Sequence, residues 1–283
     1  MKKITIFFCL MTLGTRSIAQ DHLNIMTFNI RYNNPRDSLN AWPNRVGMVS
    51  SQILFHEAHI IGVQEALHGQ MQEMDRALTR YKYVGVGRDD GKEKGEYSAI
   101  VYDTIRLQML QSQTFWLSQT PQVAGSKSWD AAITRIVTWA KFRDKKTKKQ
   151  FYVFNTHFDH IGQVARAESA RLLLKYSNEI AGPIPYIVTG DFNANPTQEP
   201  IQILTNAKAP LHLIDTKSIS VSPHYGPEGT FNGFQSKETS DLPIDYIFIK
   251  QAVKVLQHAT LSQTWQGRFS SDHFPVLARV LIQ

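Results

Sequence analysis

The sequence predicts an α/β sandwich, an α+β fold in which sheets and helices occupy separate layers. Three observations predict it. Eight short runs rich in Val, Ile, Phe and Tyr are bounded by turn residues or charges, as buried strands are. Helical patterns separate only some of these runs, and others follow one another as hairpins, which a purely parallel sheet excludes. Each run also begins or ends in an acid, an amide, an imidazole or a guanidinium.

Strand Leu23–Phe28 is expected first, then helix Pro43–Glu57, which opens on a proline as first turns do, then strand Ile60–Gln64. Helix Gly69–Thr79 sets Met71, Met74 and Leu78 three and four residues apart, and strand Ala99–Tyr102 follows. Strands Ile136–Phe142 and Phe151–Thr156 flank the turn Arg143–Gln150 as a hairpin. Helix Gln163–Ile180 and strand Pro185–Thr189 come next. Helix Thr197–Asn206 starts behind Pro196, and strands Tyr246–Lys250 and Phe274–Ile282 complete the set. No linker, repeat or low-complexity tract divides residues 21–283, which predicts one domain.

Residues 1–20 are of another kind. Lys2 and Lys3 precede an almost wholly apolar run, Ile4 to Leu13, and Ser17-Ile18-Ala19 supplies the small residues of a cleavage site. That is a secretory signal peptide, too short to span a bilayer, and it predicts a secreted or periplasmic protein. The one cysteine, Cys9, lies inside it, which removes disulfide and thiolate chemistry from the mature chain. Cleavage would take Lys2, Lys3 and Arg16 from the 31 cations and none of the 24 acids, lowering the formal charge from +7 to 28 − 24 = +4. Mild positive charge suits an anionic substrate without the footprint of a dedicated nucleic-acid binder.

The polar strand ends carry the functional argument. Leu23–Phe28 ends in Asn29, Ile60–Gln64 in Glu65, Phe151–Thr156 in His157, and Pro185–Thr189 in Gly190-Asp191. In the others the polar residue comes first: Glu96, Arg135, Asp245 and Asp272-His273. Antiparallel neighbours have opposite polarity, so starts of one set and ends of the other can share one edge of the sheets. The hairpin turn joins the ends remote from Arg135 and His157, so those two side chains are predicted to lie together.

The residue types point to phosphoester chemistry. Asp191 can orient or deprotonate water, and Asn193, two residues on, donates a hydrogen bond without adding charge. Adjacent strand residues face opposite ways, so Asp272 and His273 are expected to have separate partners. Asp245 is the expected orienter of His273, and Glu96 of His157. Glu65 and Asn29 are hard oxygen ligands suited to Mg²⁺, with Mn²⁺ the alternative. A zinc site is disfavoured, since H-E-x-x-H and usable cysteines are both missing. His56, His59, His68 and His160 read as structural or solvated.

Met26-Thr27-Phe28-Asn29, Val63-Gln64-Glu65, Asn155-Thr156-His157-Phe158-Asp159, Gly190-Asp191-Phe192-Asn193, Ile244-Asp245-Tyr246-Ile247 and Ser271-Asp272-His273-Phe274-Pro275-Val276, in that order, resemble the endonuclease/exonuclease/phosphatase superfamily of metal-dependent phosphoesterases. The resemblance runs from about residue 23 to 281. It implies a four-layer sandwich, two mixed sheets face to face with helices outside. It implies metal ligation by Glu65 with Asn29 beside it, and Asp272 as ligand or outer-shell group. His157 would hydrogen-bond a phosphoryl oxygen, Asp191 and Asn193 would position nucleophile and phosphate, and His273 with Asp245 would activate water or steady the phosphate. By resemblance to the deoxyribonuclease I branch, Glu96 backs His157 and Arg135 meets the phosphate.

Substrate is less legible. Lys141, Arg143, Lys145, Lys146, Lys148 and Lys149 surround the hairpin turn, roughly 20 Å of strand from His157 at ~3.3 Å per residue, so they read as a solvated tip. The loops 31–42, 118–134 and 222–241 are aromatic and polar rather than densely basic. Trp129, Asn195 and Phe231 are the candidate substrate contacts, with Trp116 also within reach of the cleft. The reading is a monomeric enzyme acting on a small phosphorylated metabolite such as a sugar phosphate or small phosphodiester. Its rivals are an extracellular nuclease, DNase-like or a deadenylase-like 3′ exonuclease, and a catalytically inactive binding module.

Overall fold

The computed structural model describes residues 21–235, 242–250 and 252–283, and the expected leader lies outside them. In chain order the elements are β1 (Leu23–Asn29), α1 (Val46–Phe55), β2 (Ile60–Ala66), α2 (His68–Ala77), β3 (Tyr81–Val84), β4 (Tyr97–Asp103), β5 (Leu107–Trp116), β6 (Ile136–Asp144), β7 (Gln150–His157), α3 (Gln163–Ala181), β8 (Tyr186–Asp191), α4 (Glu199–Thr205), β9 (Ile214–Asp215), β10 (Asp245–Lys250), β11 (Val253–Thr260), β12 (Thr264–Trp265), β13 (Arg268–Phe269) and β14 (Val276–Ile282). All eight expected strands and four expected helices form, some with shifted ends. Strands β3, β5, β9, β11, β12 and β13 were not expected.

Two six-stranded sheets, ordered β11-β14-β1-β2-β4-β3 and β5-β6-β7-β8-β10-β9, hold all but the small β12–β13 hairpin. Each sheet has one parallel pair at its centre, β1 with β2 and β7 with β8, flanked on both sides by antiparallel pairs. Helices α1 and α3 make the crossovers that parallel neighbours require.

The period-2 alternation of each strand sorts its residues between layers. Leu23 and Ile25, Phe151 and Val153, Ile187, and Ile247 and Ile249 pack between the sheets in one buried cluster. The alternate residues face outward. Met26, Phe28, Ile61 and Val63 join Val49, Ile53, Met71 and Met74 of α1 and α2. Tyr152, Phe154, Tyr186, Val188 and Phe248 join Leu173, Leu174, Ile201 and Leu204 of α3 and α4. Three apolar interlayers make a helix–sheet–sheet–helix sandwich of four layers, as expected.

Along the inner face the chemistry changes from apolar to polar toward one end. Beyond Ile25, Ile60, Val153 and Ile187 lies a hydrogen-bonded band. There Gln64 Nε2 donates to Asn155 Oδ1 (2.7 Å) and Thr27 Oγ1 (3.0 Å), and Thr189 Oγ1 donates to Asn155 Oδ1 (3.0 Å). Asn155 Nδ2 reaches Val63 O and Ala99 O of the opposite sheet at 2.9 and 2.8 Å. Two residues further along the same faces stand Asn29, His157 and Asp191.

Candidate active site

The strand registers put the expected polar ends at one rim. Asp245 opens β10 opposite Asp191, which ends β8, and His157 ends β7 beside Asp191. Glu65 needs a distortion to join them. Plain alternation would send it outward with Ile61 and Val63, but β2 bulges between Val63 and Ala66, and Glu65 adopts φ 65°. A left-handed backbone at a non-glycine residue costs of order 1 kcal/mol. Here it turns the carboxylate into the rim.

One amide ties the centre together. Asn29 is fully buried, and its Nδ2 donates to Glu65 Oε1 (3.0 Å) and Asp191 Oδ2 (2.9 Å) and lies 3.5 Å from His273 Nε2. Residues 29, 65, 191 and 273 therefore share one small volume. Asp191 Oδ1 accepts from the backbone N–H of Asn193, which stands at φ 47°. Burial, then the neighbouring Asp245, pushes the Asp191 carboxyl up to about 7.

His273 pairs with Asp245 as expected, Nδ1 to Oδ2 at 2.9 Å. Thr230 Oγ1 donates to the same oxygen (2.6 Å) and accepts from the N–H groups of Ile244 and Asp245 (3.0 and 3.1 Å), so the carboxylate is aimed from both ends. Burial opposes charge on His273, yet Asp245 and Asp191 hold the ring well above the usual imidazole range. Phe231 packs edge-on against it, ring centroids 5.0 Å apart.

His157 has the opposite character. Burial, with Arg135 and Arg88 nearby, keeps it neutral, its pKa well below the usual value. Asn193 Nδ2 lies 3.0 Å from its Nε2, so that nitrogen accepts and Nδ1 carries the proton. Its buried Nδ1 has no hydrogen-bond partner among the described residues.

Several expectations need correcting. Glu96 does not back His157; its Oε2 accepts from Arg88 NH1 at 2.6 Å, because the loop after β3 brings Arg88 alongside. Asn195 spends its side-chain oxygen on the N–H and hydroxyl of Thr197 (3.0 and 2.7 Å), shaping the turn into α4. Trp116 is buried and donates from Nε1 to Arg88 O (2.7 Å), holding that loop rather than reaching the cleft. Trp129, at φ 56°, is half-buried in the loop that Asp130 and Asp159 pin to the start of α3. His160 is exposed, in keeping with a structural or solvated histidine, and its Nδ1 meets Arg135 NH2 at 3.3 Å. The basic turn lies at the far end of the β6–β7 ladder from His157, where Lys145, Lys148 and Lys149 bind backbone carbonyls.

Three cationic neighbours had no signature in the sequence. Arg31 lies 3.7 Å from Asp272 and 4.0 Å from Glu65 and bonds Asp37 at 3.0 Å. Arg45 is 1% exposed and joins Ile30 O, Ser270 O and Asn40 O, fixing the loops that carry Arg31 and Asp272. Arg88 is the third. Each stands in a loop or at a turn, where a lone arginine has no periodic pattern to betray it.

The donor set fits a divalent cation. Burial, together with Glu65, raises the pKa of Asp272, and Asp191 is raised as well, so the rim concentrates negative charge that a cation relieves. Asp191, Asp245 and His273 offer ligand atoms within 4.8 Å of one another. That trio is compact, but its Asp245–His273 hydrogen bond is already made. Glu65, Asp272 and Asn29 offer further oxygen donors, the type a hard ion prefers, with Asn29 Oδ1 accepting from Arg31 N–H (3.0 Å) and Glu65 Oε2 from Tyr32 N–H (3.1 Å).

The comparisons agree with this geometry. Residues 26–273 match the Endonuclease/Exonuclease/phosphatase family. The chain is similar to an endonuclease/exonuclease/phosphatase from Bacteroides vulgatus, 39% identical over 93% of this chain and all of that one, TM-score 0.89. It is similar to the mannosyl-6-phosphatase Bt3783 of Bacteroides thetaiotaomicron, 36% identical over 92% of this chain and 99% of that one, TM-score 0.87. D. rerio TDP2, solved with a single strand DNA product, shares the fold at 17% identity over 93% and 100% of the two chains, TM-score 0.71. No helix among the described residues is long and apolar enough to cross a membrane. The chain belongs to the endonuclease/exonuclease/phosphatase family and is a phosphoesterase hydrolase.

Proposed function

We propose that this is an exported, Mg²⁺-dependent phosphatase of small phosphorylated metabolites, sugar phosphates foremost. The observation that carries the reading is 36% identity with a mannosyl-6-phosphatase across nearly the full length of both chains. Export rests on the apolar leader, and Mg²⁺ (or Mn²⁺) on the hard oxygen donors Glu65, Asn29 and Asp272. When bound, the ion neutralises charge on phosphoryl oxygens and lowers the pKa of water. Asp191, whose carboxyl titrates near neutrality, orients the attacking water and accepts its proton. Cationic His273, steadied by Asp245 and Thr230, donates to the phosphoryl group, and His157 donates from Nδ1–H, its ring held by Asn193, whose Nδ2 donates to His157 Nε2 and Phe158 O. The new P–O bond forms from water as the ester P–O bond breaks; the departing alkoxide takes a proton from bulk water, and Asp191 returns the one it accepted to solvent. Positioning and charge carry most of the rate.

The test is a panel of sugar phosphate, bis-p-nitrophenyl phosphate, DNA, poly(A) and sphingomyelin, at two salt concentrations, with and without EDTA. The sugar phosphate should be hydrolysed fastest, with a weak salt slope, and EDTA should abolish turnover. Asp191→Ala should lower kcat by at least about 100-fold. Preferred cleavage of polynucleotides, with a steep salt dependence, would establish the nuclease reading instead.

A further inference from the structure

Beside His157 stand two guanidiniums, Arg135 and Arg88, with buried N–H groups that make no hydrogen bond among the described residues. Arg135 is 4% exposed, and its Nε and NH1 have no hydrogen-bond partner among the described residues. Only NH2 is met, by His160 Nδ1 at 3.3 Å. The nearest carboxylate oxygen of Asp159 is 4.0 Å from Nε, and both Asp159 oxygens already accept backbone N–H groups at 2.7–3.2 Å. Arg88 is 12% exposed at its side chain; Glu96 accepts from its NH1 at 2.6 Å, while its Nε has no hydrogen-bond partner among the described residues and lies 3.7 Å from Asp89 Oδ1. The buried Nδ1–H of His157 is in the same state. Burial pulls Arg135 down to about 10; Glu96 opposes the shift and the neighbouring Arg88 adds to it, so the two cations sense one another.

Buried N–H donors left without acceptors are costly, and a guanidinium fork is shaped for oxyanions. The geometry points to a monoester-selective wall: Arg135, and Arg88 held by Glu96, recognise a terminal phosphomonoester dianion in preference to a phosphodiester. This deepens the phosphatase reading and rests on it. A monoester presents three non-bridging oxygens and close to two charges at neutral pH, whereas a diester presents two oxygens and one charge. The second ester group of a diester would set carbon where a guanidinium N–H expects oxygen. Arg88 is then a specificity residue, and Glu96 a positioning residue acting through it.

The test compares p-nitrophenyl phosphate with bis-p-nitrophenyl phosphate, and calorimetric binding of orthophosphate with dimethyl phosphate, all in excess Mg²⁺. The parent should bind orthophosphate at least about tenfold more tightly. Arg88→Gln should lower monoester kcat/KM by about 10- to 100-fold and the diester value by less than about threefold. Glu96→Gln should shift the same ratio in the same direction, and Arg88→Lys should restore part of it. Arg88→Gln strands the buried Glu96 carboxylate, so Arg88→Gln/Glu96→Gln, checked by thermal melting, serves if the single variant fails to fold. Equal loss on both esters, or a parent that binds dimethyl phosphate as tightly as orthophosphate, overturns the proposal. A parent that binds orthophosphate selectively but hydrolyses neither ester would overturn the phosphatase reading and leave the selective wall standing.

Discussion

At the scale of single residues, the site works by giving chemically similar groups opposite states. His273 and His157 are both fully buried imidazoles at the rim, yet one is held cationic and the other neutral. The difference lies in their neighbours. Asp245 bonds His273 directly, whereas Arg135 and Arg88 lie near His157; Asp191 stands between the rings, its Oδ2 3.8 Å from His273 Nε2 and 3.4 Å from His157 Nε2. Asp245 is thus the switch that sets the protonation of His273, and Thr230 is what aims it. Asp245→Asn keeps the size and one acceptor but removes the charge. It should lower kcat by about 100- to 10,000-fold while leaving KM within a fewfold and the melting temperature within a few degrees. Steady-state kinetics and a melt on the same preparation decide it. A kcat within tenfold of the parent would mean that Asp245 only fills space.

At the scale of elements, β11 shows both a pH device and the limits of pattern reading. His258 of β11 is buried, and its Nδ1 meets His224 Nδ1 at 2.9 Å, while His224 Nε2 meets Pro227 O at 3.1 Å. A carbonyl only accepts, so His224 Nε2 carries a proton, and in the neutral pair His258 Nδ1 donates. Burial first, then His224 and Lys217, pushes His258 down to about 3. Unfolded, the ring takes its proton near 6.5. Between those values the unfolded chain binds more protons, so stability is full above about pH 6.5 and declines as pH falls toward 3. The raised carboxyls of Asp191, Asp215, Asp272 and Glu96 act in the opposite sense, so the comparison must be between variants. The parent should lose about 3–6 °C more than His258→Gln between pH 7 and 5, and equal losses would dismiss the linkage. Most strands found from sequence are buried on both faces, and β14, which alternates buried and half-buried residues, was found because its run is apolar but for Arg279. Strand β11 alternates buried and exposed residues, and β5, mostly Gln and Ser toward solvent, is an edge whose partner β6 supplies the reason it is a strand. The site divides the same way. Asp191, Asn193, Asp245 and His273 sit beside strands and were legible, whereas Arg31, Arg45 and Arg88 depend on loop paths, and so did the partner of Glu96.

At the scale of the whole molecule, the proposed mechanism requires two sheets closing to one fixed spacing, because Asn29 and Glu65 come from one and His157, Asp191 and Asp245 from the other. The polar band of Gln64, Asn155 and Thr189 sets that spacing just behind the rim, and at Gly62 the opposite sheet leaves no room for a side chain. A Cβ added at Gly62 would lie 2.1 Å from Thr189 Oγ1, 2.5 Å from Asn155 Oδ1 and 2.8 Å from Thr189 Cβ. Those atoms belong to the opposite sheet and are tied into the band, so they cannot swing aside as a surface side chain would. Gly62→Ala must either part the sheets or break the hydrogen bonds of Asn155, and overpacking of this kind costs about 1–3 kcal/mol. A melting temperature lower by about 3–10 °C is expected. Because Asn155 and Thr189 precede His157 and Asp191 by two residues on the same inner faces, turnover should fall more than the stability loss alone explains. Adding Thr189→Ala removes the worst contact, so the double variant should be more stable than the sum of the two single effects predicts. Strict additivity would mean that the sheets adjust independently at this point, and the spacing would have to be set by the apolar interlayer instead.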